Sequence, residues 1–118
     1  MIKLYTYKNC GTCKKATKWL CENSISFNEI PIRQTPPSKH ELQEMLTQYN
    51  DTKYLFNTSG QDYRALNLKE KREFLSTDEQ IELLHTNGNL VNRPFLISES
   101  KKLVGFKVSE WKDAFKSE

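Results

Sequence analysis

The sequence lacks several features that would assign it to a class at once. No stretch of its 118 residues comes near the roughly 20 consecutive apolar residues of a membrane span, so no membrane segment is expected. The opening "MIKLYTYKNC" lacks the charged, then apolar, then small-residue layout of a secretory signal, and the chain is expected in the cytosol. Charge of one sign is not concentrated anywhere: 18 basic and 15 acidic residues are spread along the chain and leave +3. Strong direct binding of nucleic acid is therefore not expected, and the mixed-charge faces suit a monomer. Cysteine is scarce, at three residues. An odd count in a reducing compartment is not a structural disulfide framework. Internal repeats, low-complexity tracts and linkers are missing too.

What is present suits one domain, residues 1–118, with one core. Apolar content is 36% against 28% charged, but six Phe, five Tyr and two Trp can fill an interior, so disorder is not expected. "IKLYTY" alternates apolar and polar residues and reads as a strand over 2–7, and "KNCGTC" as a tight loop. From Thr12 to about Asn23 the period becomes helical, with Ala16, Trp19 and Leu20 on one face. "SFNEIPI" gives a second strand over 26–31, and Pro36-Pro37 break the chain. Ser38 with Glu41, and Ser76 with Glu79, form capping boxes that open helices, the second ending at Asn87-Gly88. Between them, Tyr54, Leu55, Phe56, Tyr63, Leu66 and Leu68 suggest short helices joined by turns. "RPFLIS" and "KLVGF" read as a hairpin with Lys101 at the turn, and Ser109 as the cap of a last helix carrying Trp111 and Phe115. The order β-α-β, helical middle, β-β-α predicts an α/β fold with a mixed four-stranded sheet, its first unit a right-handed crossover.

Two cysteines, Cys10 and Cys13, stand at C-x-x-C spacing. Three readings are open: a metal clamp, two packed thiols, or a redox pair. A structural zinc needs four ligands, and only Cys21, His40 and His85 remain, without ligand spacing. Packed thiols are common, since free cysteine is often buried; for Cys21 packing is the expected role. Placement favours the redox reading for the pair. Cys10 falls where a strand ends and a helix begins, so free N–H groups and the helix dipole face it. Lys8, Lys14 and Lys15 add positive potential, and both effects favour the thiolate, which is the nucleophile. Cys13 lies one helical turn on, placed to resolve a mixed disulfide at Cys10. Gly11 helps the chain turn before Thr12. C-x-x-C beside a βαβ pattern is the mark of a thioredoxin-like redox site.

In such a fold, the loop before the strand "FLIS" carries a cis-proline beside the active cysteine, here Pro94. Arg93 would then project toward Cys10, to hold the thiolate or bind an oxyanion through its fork of donors.

"YKNCGTCKKATKWL", "LVNRPFLI" and "LVGFKVSEW" together resemble the ArsC/Spx/MgsR family over nearly the whole chain. The family comprises glutaredoxin-linked arsenate reductases and redox-sensing regulators. The resemblance implies a thioredoxin-like core with a helical insertion over 34–88. It implies Cys10 as the catalytic or sensing cysteine and Arg93 as the arginine before the cis-proline. No metal or organic cofactor is implied, only a thiol donor: thioredoxin, glutaredoxin or a small thiol. The reductases carry two further arginines for their oxyanion substrate; here Asn57, and Gly105 with Phe106, stand at those places. The regulators act on the C-terminal domain of the RNA polymerase α subunit, and Asp51 stands where they carry a glycine. Two functions follow: a thiol oxidoreductase, or a redox-dependent regulator of polymerase.

Overall fold

The computed structural model describes residues 1–116. Four short strands form one mixed sheet in the order β2-β1-β3-β4. Strand β1 (Lys3–Thr6) pairs in parallel with β2 (Asn28–Pro31) and antiparallel with β3 (Phe95–Ile97), which pairs antiparallel with β4 (Lys102–Val104). This is the expected mixed sheet, and the fold is thioredoxin-like.

Side-chain alternation explains the layers, because successive strand residues face opposite ways. Leu4, Leu96 and Leu103 face one side, where they bury Ala16 and Leu20 of α1 (Gly11–Glu22) and Trp111 of α6 (Val108–Phe115). Tyr5, Phe95, Ile97 and Val104 face the other, against the segment joining β2 to β3. That segment is helical: α2 (Lys39–Tyr49), α3 (Gln61–Ala65), α4 (Leu68–Lys71) and α5 (Thr77–Thr86), with a 3₁₀ turn after each of α2, α4 and α5. Leu42, Met45, Ile81 and Leu84 give it a core continuous with the sheet. Both capping boxes form with both reciprocal hydrogen bonds, at Ser38–Glu41 and at Ser76–Glu79.

Two local expectations change. The last helix starts at Val108 with Lys107 as N-cap, so Ser109 lies inside its first turn and is not the cap. The entry is set instead by Gly105, whose φ of +74° only glycine adopts without strain, and whose carbonyl accepts the Trp111 indole N–H at 3.1 Å. Helix α5 does end at Asn87-Gly88, yet neither residue is left-handed; Asn87 has φ −142°. Gly88 is glycine for a different reason: it packs against the backbone of Ile32 and Arg33.

Glu41 ties α2 to the sheet by accepting from the Tyr5 hydroxyl (2.6 Å) and the Lys3 ammonium (3.1 Å). Burial pushes its carboxyl up, but those donors and the Ser38 N–H outweigh it, and the group is held below its ordinary range. Among the described residues, no helix is long and apolar enough to cross a membrane.

Candidate functional site

The sheet brings the two thiols to its β1 end. The chain leaves β1 through a turn closed by Cys10 N–H to Tyr7 C=O at 3.0 Å. Cys10 is then the N-cap of α1, with extended backbone, and its sulfur accepts the Cys13 N–H at 3.1 Å. Cys13, one turn on, is 2% exposed, and Cys21 near the helix end is exposed. Both sulfurs of the pair are free thiols in this structure.

The pair is asymmetric. Burial, then the hydrogen bond with Cys10, push the Cys13 thiol up to about 12, while the Tyr7 backbone N–H and the Arg93 charge pull weakly the other way. Half-exposed Cys10 is therefore the sulfur open to a partner, and Cys13 is a protonated thiol held behind it. An alkylation series from about pH 7 to about pH 9 should label Cys21 and Cys10 in the native chain and leave Cys13 unmodified until the chain is denatured, as read by peptide mass spectrometry. Cys13 labelling as fast as Cys21 would contradict this asymmetry.

Gly11 is the first helical residue, outside the left-handed region, and a Cβ there would meet nothing within 4 Å. The turn into α1 does not require glycine. Thr12 and Lys14 are exposed on the first turn, as is Lys15.

The Arg93–Pro94 peptide bond is cis, and Pro94 is buried, its carbonyl accepting the Gly105 N–H at 2.9 Å. Arg93 reaches the thiols through its charge, which acts on Cys13. Its hydrogen bonds go to backbone: Nε to Val91 C=O (3.3 Å) and Nη2 to Asn89 C=O (2.9 Å). Its guanidinium also lies 5.6 Å from the Tyr7 ring centroid.

Three residues beyond the sequence-based set join the site. Arg33, just past β2, lies 4.8 Å from the Tyr7 ring centroid and donates Nη1–H to its hydroxyl at 2.8 Å. Tyr7 also accepts from Asn9 Nδ2 at 3.2 Å. Asp62 of α3 accepts from Asn87 and Asn89 Nδ2, at 3.0 and 3.2 Å, and feels the charges of Arg33 and Arg93. The signal for Arg33 was topological: residues that follow parallel neighbours β1 and β2 emerge at one sheet end. Among the described residues, no group of three or more His, Cys, Asp or Glu could hold a metal ion.

The ArsC family profile matches residues 5–114. This chain belongs to the ArsC family. It is 47% identical over 113 residues to YusI of Bacillus subtilis, covering 95% of this chain and 96% of that one. It is 32% identical over 111 residues to the global transcriptional regulator Spx of Listeria innocua, covering 93% of this chain and 83% of the regulator. Among solved structures, an ArsC-family-related protein from Bacteroides fragilis matches with a TM-score of 0.90 and 40% identity, over 96% of each chain. A protein described as a possible arsenate reductase from Streptococcus mutans matches with a TM-score of 0.86 and 35% identity, over 95% of this chain and 98% of that one.

Phe106, Gly105 and Asn57 each have structural work in this fold. Phe106 packs edge-on against Trp111 (centroids 4.9 Å apart) and Trp19, and Gly105 takes the turn into α6. Asn57 gives its N–H to Leu90 C=O at 2.7 Å and lines a groove with Lys53, Arg72 and Asn92. Arg72 enters that groove from the helical segment, but Tyr63, Thr52 and Asp51 already engage its guanidinium.

Proposed function

We propose that the chain is a cytosolic thiol–disulfide redox protein in which Cys10 is the nucleophile, Cys13 the resolving thiol, and Arg93 the cation that supports them. The observation that carries this reading is the asymmetry of the pair. A half-exposed sulfur caps a helix, with a buried, protonated partner one turn behind it and a cis-proline loop alongside. Attack by the Cys10 thiolate on a disulfide would give a mixed disulfide, which the Cys13 sulfur then displaces. Thioredoxin, glutaredoxin or a small thiol would return the pair to its reduced form.

Disulfides are favoured over arsenate as substrate. A multiply charged oxyanion calls for several converging forks of donors, and Asn57, Gly105 and Phe106 supply none. The deciding experiment gives the reduced chain a small disulfide in one arm and arsenate in the other, with each reductant. Disulfide turnover that needs Cys10, with arsenate turnover slower by roughly two orders of magnitude, is expected. Arsenate turnover at a matching rate would reverse the choice of substrate.

A second reading has its own observation, the 32% identity with Spx over 93% of the chain. In that reading Cys10–Cys13 oxidation alters a surface that binds the RNA polymerase α subunit. Closing so short a loop constrains little beyond the start of α1, so the switch would be local. Asp51, at the place of the regulators' glycine, has φ −152° and caps a 3₁₀ turn with its carboxylate. Capture of the α subunit by the oxidised chain and not the reduced one would favour this reading.

A further inference from the structure

Asn87-Gly88 is the one place in the chain where asparagine precedes glycine. Such a pair is prone to deamidate, because glycine has no side chain to hinder attack by its own backbone nitrogen on the asparagine amide. The fold nevertheless requires both residues. Gly88 is buried and lies so close to the Ile32–Arg33 backbone that no Cβ fits. Asn87 uses both ends of its side-chain amide. Its Oδ1 accepts the Asn89 N–H at 3.0 Å, which caps the 3₁₀ turn Gly88–Leu90, and its Nδ2 donates to Asp62 Oδ2 at 3.0 Å. Aspartate at position 87 would cap that turn as well, but its carboxylate would face that of Asp62. Packing thus imposes the glycine, and charge imposes the asparagine.

The native geometry also blocks the reaction. Ring closure needs the Gly88 nitrogen on the same side of the Asn87 Cα–C bond as the Asn87 Cβ. At ψ 96° it stands on the opposite side, so that bond must first turn by more than a right angle. Gly88 cannot follow while it lies against Ile32, whose own N–H is bonded to Thr6 C=O at 2.9 Å. The amide cannot turn while Asp62 and the Asn89 N–H hold its two ends. Asp62 is the charged clamp. Its Oδ2 also accepts from Asn89 Nδ2 at 3.2 Å, and the bonds from Asn87 and Asn89 hold its carboxyl below the ordinary range, in the ionised form that accepts best. Because Asp62 belongs to α3, its grip ties the loop after α5 to a second helix.

We infer that Asn87 is a deamidation site that Asp62 keeps shut, and that it reacts only in chains whose loop 87–89 has opened. In the opened loop the Gly88 amide nitrogen loses its proton to hydroxide and attacks the Asn87 Cγ. The Cγ–Nδ2 bond breaks, Nδ2 takes up a proton from water and leaves as ammonia, and a five-membered imide remains. Water then adds to one of the two imide carbonyls and opens the ring to aspartate or isoaspartate. Nothing is oxidised or reduced: one water enters and one ammonia departs. Neither product fits back into the loop. Aspartate meets the Asp62 carboxylate, and isoaspartate adds a backbone carbon directly before Gly88, where the Ile32–Arg33 backbone leaves no room. The change runs one way, so the deamidated fraction records how often this loop has opened.

The test incubates the chain in mildly alkaline buffer and follows the mass gain at Asn87 by peptide mass spectrometry. The folded chain should deamidate there at least about thirtyfold more slowly than the chain in urea. Asp62→Ala removes both bonds to the charged acceptor and should raise the folded-state rate about tenfold. Asp62→Asn keeps an acceptor oxygen without the charge and should fall between, about threefold above the wild type. Asn23-Ser24, at the end of α1, is the internal reference, and its rate should be the same in all three folded chains. Folded wild-type chain reacting at Asn87 as fast as the chain in urea overturns the inference. So does a rate that neither Asp62 variant changes. Equal acceleration at Asn87 and Asn23 in both variants overturns it too, because it would mean general loosening and not a clamp at Asp62.

Discussion

Cys10→Ser should abolish disulfide exchange while leaving the fold as stable as before, or slightly more so. The two effects separate because Cys10 occupies a position with two uses. As an N-cap it only has to accept the Cys13 N–H, now 3.1 Å from its sulfur. Serine is among the best residues for that task, and its oxygen is a stronger acceptor than sulfur, so a gain of up to about 1 kcal/mol is expected. As a nucleophile, a serine hydroxyl without an adjacent base stays protonated and inert at neutral pH, and the rate should fall by on the order of a thousandfold or more. Cys13 cannot stand in, because it is 2% exposed and its thiol is pushed up to about 12. Cys13→Ser should act differently: the first attack proceeds, and the partner stays bound to Cys10 as a mixed disulfide. Intact-mass measurement after exposure to a small disulfide reads both variants. An adduct on Cys10→Ser at Cys13, at the wild-type rate, would reverse the two roles.

The strands and long helices were legible because their signals are local. Alternation in "IKLYTY", the spacing of Ala16 and Leu20, and the Ser-x-x-Glu boxes each act within a few residues, and each element formed within a residue or two of its expected place. Ser109 misled because serine is a generic cap, whereas the helix entry is fixed by Gly105 and an indole that bonds back to it. Gly11 and Gly88 misled in a related way. Each stood where a turn or helix end gives glycine a conformational reason, and neither is left-handed. In the site, the C-x-x-C pair and Pro94 could be placed from spacing and fold. Arg33, Tyr7 and Asp62 could not, because they meet only once β2 has docked on β1 and α3 has reached the loop at Asn87–Asn89. Arg93 was expected to project toward Cys10; its charge acts on Cys13, and its carbonyl partners depend on that same loop.

Gly88→Ala should be among the most damaging single-methyl additions the chain can receive, and its harm should reach the site. A Cβ at Gly88 would overlap the carbonyl oxygen of Ile32 and lie 2.8 Å from its carbonyl carbon and 3.1 Å from the Arg33 Cα. All three are backbone atoms of a segment whose Ile32 side chain is fully buried and whose Ile32 N–H is bonded to Thr6 C=O at 2.9 Å. Nothing there yields by turning a side chain, so the cost should be about 3 kcal/mol, at the upper end of overpacking. For a chain of this size that lowers the melting temperature by roughly 12 °C. Two other glycines calibrate the claim. Gly60→Ala meets mainly the Asn57 side-chain amide, which can swing aside, and should cost under about 1 kcal/mol. Gly11→Ala meets nothing and adds helix propensity, so it should be neutral or stabilising by up to about 1 kcal/mol. Because the displaced segment carries Arg33, Gly88→Ala should also weaken the hold of Arg33 on Tyr7, seen as a rise in the Tyr7 phenol titration midpoint toward that of an ordinary tyrosine. Equal melting temperatures for the Gly88 and Gly60 variants would mean that the close approach of Gly88 to the Ile32–Arg33 backbone is not what holds Arg33 on Tyr7.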